Sequence, residues 1–126
     1  MDGHHLILGA LDDFITGERL PDTHDERYRQ KIARLLVNDK GYAKTEIRSR
    51  NQLTVSAGDR KGRLWVDFLV TIDGRMAMVI KYGPGSLVTR HRPTLAISRL
   101  MAPYQIPVAV VTNGETADVL DGRSGR

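Results

Sequence analysis

The sequence predicts an α/β fold, a central mixed sheet of about five strands flanked by helices, on three observations. Two adjacent strand-like segments, residues 64–72 and 76–82, are joined by Asp73-Gly74 and are apolar at both residue parities. A helical stretch precedes them, and a second helical stretch and two short apolar runs follow. Strands that are apolar on both faces belong to a sheet covered on both sides, which calls for helices above and below it.

Each element follows from local pattern. Thr23 and Glu26 have the spacing of a capping box, in which the Thr hydroxyl accepts the Glu26 backbone N–H and the Glu carboxylate reaches back to Thr23. Tyr28, Ile32, Leu35 and Leu36 then recur at i, i+4, i+7 and i+8 as one apolar stripe, until Lys40-Gly41 stops it. The first helix is expected over residues 25–39. Upstream, residues 6–15 carry enough apolar side chains for a short helix or strand, and residues 17–22 read as a loop broken by Pro21. Residues 45–57 alternate loosely, with Ile47, Leu53 and Val55 apolar, and end in the turn-like run 58–62, which predicts a first strand. The next two strands form a hairpin, because Asp-Gly tolerates the positive φ of a tight turn. Gly83-Pro84-Gly85-Ser86 breaks the chain, and Pro93 suits the first turn of a helix over residues 93–102 lined by Leu95, Ala96, Leu100 and Met101. Residues 108–112 and 117–120, joined at Asn113-Gly114, give the last two strands.

The 126 residues fit a single domain, 1–126, in which 1–22 form a lid segment and 23–126 the core. With 40% hydrophobic and 27% charged residues and no low-complexity tract, the chain has the composition of a folded protein and not of a disordered one. No apolar run approaches the roughly 20 residues of a membrane helix, and no basic stretch precedes the apolar patch at residues 6–8, so no membrane partner and a cytoplasmic location are expected. The absence of Cys fits a reducing compartment and removes thiolate and Cys-rich zinc chemistry. The four His residues show no metal-ligand spacing. Residues 1–39 hold five bases against eight acids, and the remainder fourteen against seven, so the later part suits a polyanion, although such a face is as often simply solvated.

Asp67 and Lys81 stand out because each is a charge inside an otherwise apolar strand, costing several kcal/mol if buried alone. They should face each other, a metal or an open cleft, and an ion pair that fixes strand register is the simplest account. The strings DERYRQKIARLLV, WVDFLV, MAMVIKYG and VVTNGETADVLDG, spread over most of the chain, resemble the N-terminal domain family of type I restriction enzyme R subunits. That family is similar to the wider PD-(D/E)XK nucleases, so the resemblance implies a restriction-endonuclease-like fold. It also implies an acid late in one strand and an acid-x-Lys on the next, which hold Mg²⁺ and activate water. The implied catalytic residues are Asp67, Lys81 and, in the first helix, Glu26; the implied metal ligands are Asp67 and Glu26. Glu26 serves equally well as a capping residue.

The sequence departs from that pattern where the acid of acid-x-Lys falls, at Val79. Mg²⁺ takes octahedral oxygen ligands at about 2.0–2.1 Å, and Val supplies neither oxygen nor charge. Weak metal binding weakens both water activation and charge neutralisation at phosphorus. Asp73 is no substitute, since six residues of strand place it about 20 Å from Asp67. Glu26, Glu46 or Glu115 would have to supply a migrated carboxylate. Related nucleases also carry a Gln four residues before a Tyr; here Leu100 precedes Tyr104, with Arg99 beside it.

The hairpin supplies an internal check. A plain two-residue loop at Asp73-Gly74 pairs Asp67 with Ile80 and turns Lys81 away, whereas a three-residue loop or a bulge sets Asp67 opposite Lys81 with Val79 on the same face. The odd-numbered register is expected. Arg60, Lys61 and Arg63, at the start of the Asp67 strand, and Arg90 and Arg92, after the Gly-Pro-Gly-Ser run, are the candidate phosphate contacts. That run lacks the Gly-Lys-Ser/Thr ending of a nucleotide-binding loop. The expected function is a degenerate nuclease-like domain that binds DNA or other restriction-system subunits without efficient cleavage. The alternatives are an active Mg²⁺-dependent DNA endonuclease with a migrated carboxylate, and a structural or regulatory domain. Motor motifs are absent, so the chain reads as a stand-alone domain or a fragment.

Overall fold

In the computed structural model, which describes residues 9–126, Thr23 caps the first helix as its spacing predicts. Its hydroxyl accepts the Glu26 N–H at 3.1 Å. Helix α1 spans His24–Arg34, with Asp25 and Glu26 in the first turn and Lys31 and Arg34 in the last, complementing the helix dipole at both ends. It continues as a wider π turn over Leu35–Asp39, in which the Lys40 N–H reaches the Leu35 carbonyl at 3.0 Å, and Gly41 ends it at φ +82°. Ile32, Ala33 and Leu36 form the buried stripe, whereas Leu35, expected to join them, is 45% exposed where the helix widens.

The segment before α1 differs from expectation. Strands β1 (Ala10–Asp12) and β2 (Arg19–Pro21) pair antiparallel, so part of the expected loop at 17–22 is strand. Pro21 is tolerated because it ends a strand of a two-stranded ribbon, where a missing N–H removes little pairing. The intervening turn is closed by Asp13, whose Oδ2 accepts the Thr16 N–H and hydroxyl at 3.0 and 2.7 Å. The apolar patch at residues 6–8 lies outside the described residues.

The chain divides between Ile47 and Arg48 into two compact units. The second is built on a five-stranded sheet of β3 (Ile47–Ala57), β4 (Arg60–Ile72), β5 (Arg75–Tyr82), β6 (Val108–Thr112) and β7 (Ala117–Asp121), neighbours in space in chain order. β4 and β5 are antiparallel, β5 and β6 parallel, and β6 and β7 antiparallel, a mixed sheet. Helix α2 (His91–Leu100), entered through a short 3₁₀ turn at Val88–Arg90, makes the crossover from β5 to β6. It begins two residues earlier than expected because that turn feeds it, and Pro93 still falls in its first turn. Its buried face is Thr94, Leu95, Ile97 and Ser98, while Ala96 and Leu100, expected inside, are exposed. Ser98 is tolerated there because its hydroxyl donates to the Leu95 carbonyl at 2.7 Å.

The β4–β5 register is the element that positions the site. Asp73 and Gly74 both take positive φ, +52° and +77°, the pattern of a two-residue type I′ turn. Ile72 pairs with Arg75 and Thr71 with Met76, but Val70 then pairs with Met78, leaving Ala77 as the extra residue of a β-bulge. Beyond it, Leu69 pairs with Val79 and Phe68 with Ile80. The paired residues run as far as Phe68 and Ile80; continued by one step, this odd-numbered register, made by a bulge added to a tight turn, brings Asp67 opposite Lys81. Leu69, Val79, Ala109 and Leu120 form one row across four strands, within a core completed by Val66, Leu95, Ile97 and Ile106. This α/β architecture, five strands and two helices, is consistent with a restriction-endonuclease-like fold.

Candidate functional site

Asp67 is 1% exposed and sits on the row next to the apolar one, with Lys81, Val111 and Asp118 successively across β5, β6 and β7. A buried carboxylate needs donors. Asp67 Oδ2 accepts the backbone N–H of Tyr82 at 2.7 Å, and Oδ1 accepts the indole N–H of Trp65 at 3.3 Å. Lys81, half-buried, donates from Nζ to the Trp65 carbonyl at 2.7 Å. Trp65 thus holds both charged residues, one through its ring and the other through its backbone. Sequence reading missed it, although it lies two residues from Asp67 on the same strand face, a spacing that could have flagged it.

Val79, at the position of the implied acid, is fully buried between Leu69 and Ala109. Among the described residues no three His, Asp or Glu side chains converge as a metal-binding group.

Two residues beyond Lys81 the chain reaches Gly83, whose N–H donates to the Thr112 carbonyl at 3.0 Å. A Cβ at Gly83 would lie 1.2 Å from Arg90 Nη1, so the Arg90 guanidinium occupies the space that a side chain would take. Arg90 Nη2 also donates to the Pro84 carbonyl at 2.6 Å. The Gly-Pro-Gly-Ser run therefore turns a carbonyl toward an arginine. At the start of α2, His91 Nε2 lies 2.8 Å from Asp118 Oδ2, which ties the helix to β7. Arg92 is exposed.

The remaining candidates lie elsewhere. Arg60, Lys61 and Arg63 are exposed at the start of β4. Strand rise puts Arg60 and Lys61 roughly 20 Å from Asp67, and Arg63 somewhat nearer. Tyr104 accepts the Met76 N–H at 2.7 Å and stacks under Arg75, which places it at the hairpin end of β5. Glu46 accepts the Ala43 N–H at 2.8 Å, and Glu115 is exposed in the β6–β7 turn.

Glu26 belongs to the first unit. It is 8% exposed, and its carboxylate accepts from Gln30 Nε2 and Arg29 Nη1, both at 3.2 Å. Gln30 also donates to Asp13 Oδ1 at 2.7 Å and accepts the Phe14 N–H at 2.7 Å, so its amide joins two buried carboxylates and ties the β1–β2 turn to α1. Glu26 thus sits within a hydrogen-bonded network of the first unit.

A model of the type I restriction enzyme R protein N terminus matches residues 24–126. Comparison with curated proteins and with solved structures gave no match. That match spans most of the chain and runs through α1, the bulged hairpin, α2 and the last strand pair, and on this evidence the chain belongs to the type I restriction enzyme R protein N-terminal family.

Proposed function

We propose that this chain is a restriction-endonuclease-like domain, within the restriction-system setting of its family, that binds nucleic acid without efficient cleavage. The observation that carries this reading is Val79, fully buried in an apolar row at the position where the implied acid would stand. The donor set in this region does not fit Mg²⁺. Asp67 offers one carboxylate whose two oxygens already accept hydrogen bonds, and Val79 offers no oxygen. Lys81 and the Arg90 guanidinium bring two cations to this end of the sheet, beside the His91–Asp118 pair, and such groups suit a phosphate backbone.

A second reading, an active Mg²⁺-dependent endonuclease with its second carboxylate drawn from elsewhere, is favoured by the register that sets Asp67 across from Lys81. One experiment separates the two: calorimetric titration of Mg²⁺ and Mn²⁺ into the wild type and an Asp67→Ala variant, with plasmid nicking measured on the same samples. The proposal expects DNA binding that weakens steeply with salt, no saturable metal binding and no nicking. Saturable metal binding and nicking, both lost in Asp67→Ala, would establish the nuclease instead. Absence of DNA binding at low salt would transfer the function to a protein partner or a structural role.

A further inference from the structure

Gly83 lies two residues beyond Lys81, so by strand alternation its missing side chain points to the side that Lys81 takes. That space is filled by the Arg90 guanidinium, 1.2 Å from where the Cβ would be. Arg90 has left the helix entrance to lie over the strand end, and the Pro84 carbonyl fixes it there with a bond of 2.6 Å. That bond uses one of the five guanidinium donors. The backbone of Gly83 is not in the left-handed region, so its lack of a side chain serves space and not conformation.

We propose that Lys81 and Arg90 form a two-cation seat for one nucleic-acid phosphate, and that Gly83 is the residue that admits Arg90 to it. The proposal rests on the nucleic-acid reading above and deepens it by naming the contact. Each cation is held by a main-chain carbonyl, Lys81 by Trp65 and Arg90 by Pro84, so both are positioned before any ligand arrives. A preorganised pair loses less side-chain entropy on binding than solvated surface bases do. Phosphate is the chemistry that fits, because a guanidinium contacts its oxygens through several N–H groups while an ammonium supplies a point charge. On the same row Asp118 bonds His91 Nε2 at 2.8 Å, and the buried Asp67 carboxylate accepts the Tyr82 and Trp65 N–H groups, so each of these acids has its own donors.

The test uses the full chain, a labelled short DNA duplex and fluorescence anisotropy across a salt series, on Arg90→Ala, Gly83→Ala and, as a charge control, Arg123→Ala. Gly83→Ala keeps every charge, and the group it displaces is the far end of a flexible side chain, so the fold is retained; thermal melts verify this. The seat predicts that Arg90→Ala and Gly83→Ala both weaken binding roughly tenfold, that Arg123→Ala changes it little, and that Arg90→Ala lowers the salt slope by about one. Wild-type affinity in Gly83→Ala beside a loss in Arg90→Ala would overturn the seat, since Arg90 would then act as diffuse charge. Unchanged binding in both would overturn it too, while leaving the nucleic-acid reading intact. A wild type that binds no DNA at all would remove both.

Discussion

Val79 is the residue on which the proposed loss of cleavage rests. It packs between Leu69 and Ala109 with no exposed surface, so a carboxylate there would be desolvated without a hydrogen-bond donor nearby in the row. Val79→Asp is therefore expected to destabilise the fold by about 3 kcal/mol or more in chelator, measured by denaturant melts. Because Val79 lies diagonally across the hairpin from Asp67, added Mg²⁺ should restore part of that loss in the variant and none in wild type. No Mg²⁺ effect in Val79→Asp would show that the two positions cannot share a cation. Asp67 and Lys81 were legible in the sequence because a charge in an apolar strand demands a partner. Trp65 was marked only by its two-residue spacing from Asp67, and Gly83 not at all, since a glycine after a strand has an ordinary turn explanation and only the fold shows what an absent side chain admits. The π turn likewise moved Leu35 out of a stripe that simple periodicity had included.

Among the elements, the β4–β5 hairpin shows how far local pattern reaches. Asp73-Gly74 announces a two-residue turn, and the apolar parity of both strands announces a two-sided sheet, and both are present. Those two facts alone would have turned Lys81 away from Asp67. The bulge at Ala77 reconciles them, and the sequence offers no local mark for it, because Met76, Ala77 and Met78 suit either parity. The expected odd register came from requiring the two charges to meet, a tertiary argument and not a propensity. Helix α2 is the counterpart failure: its buried face contains Thr94 and Ser98, so a search for apolar stripes chose Ala96 and Leu100 instead. The turn makes a direct prediction. Asp73 sits at φ +52°, which a β-branched side chain strongly disfavours, so Asp73→Val should cost about 1 kcal/mol in thermal or denaturant melts. Asp73→Asn should be neutral, since Asn-Gly favours the same turn. Equal melts for Val and Asn would mean that the turn conformation contributes nothing to the hairpin.

At the scale of the whole molecule, two carboxylates outside the candidate site make stability depend on pH. No helix among the described residues is long and apolar enough to cross a membrane, and the basic excess lies after residue 39. Asp22 and Asp121, one in each compact unit, have pKa values below their ordinary value. Asp22 is held down by the bidentate Arg27 guanidinium at 2.8 and 2.9 Å, which braces the start of α1. Asp121 is held down by the backbone N–H groups of Ser124 and Arg123, which close the chain's last turn. A carboxylate whose folded pKa is depressed adds stability above its unfolded pKa, near 3.8, and loses that contribution as pH falls through the lower folded value. Asp22→Asn and Asp121→Asn should therefore melt below wild type at neutral pH, with the gap closing progressively on acidification below about pH 4. The gap for Asp121→Asn should be the smaller one, because the Asn oxygen can still accept both backbone N–H groups, whereas Asp22→Asn loses a charge-paired guanidinium. Melting temperatures of the three proteins across a pH series give the answer, and a gap that persists unchanged at low pH would assign the effect to packing and not to ionisation.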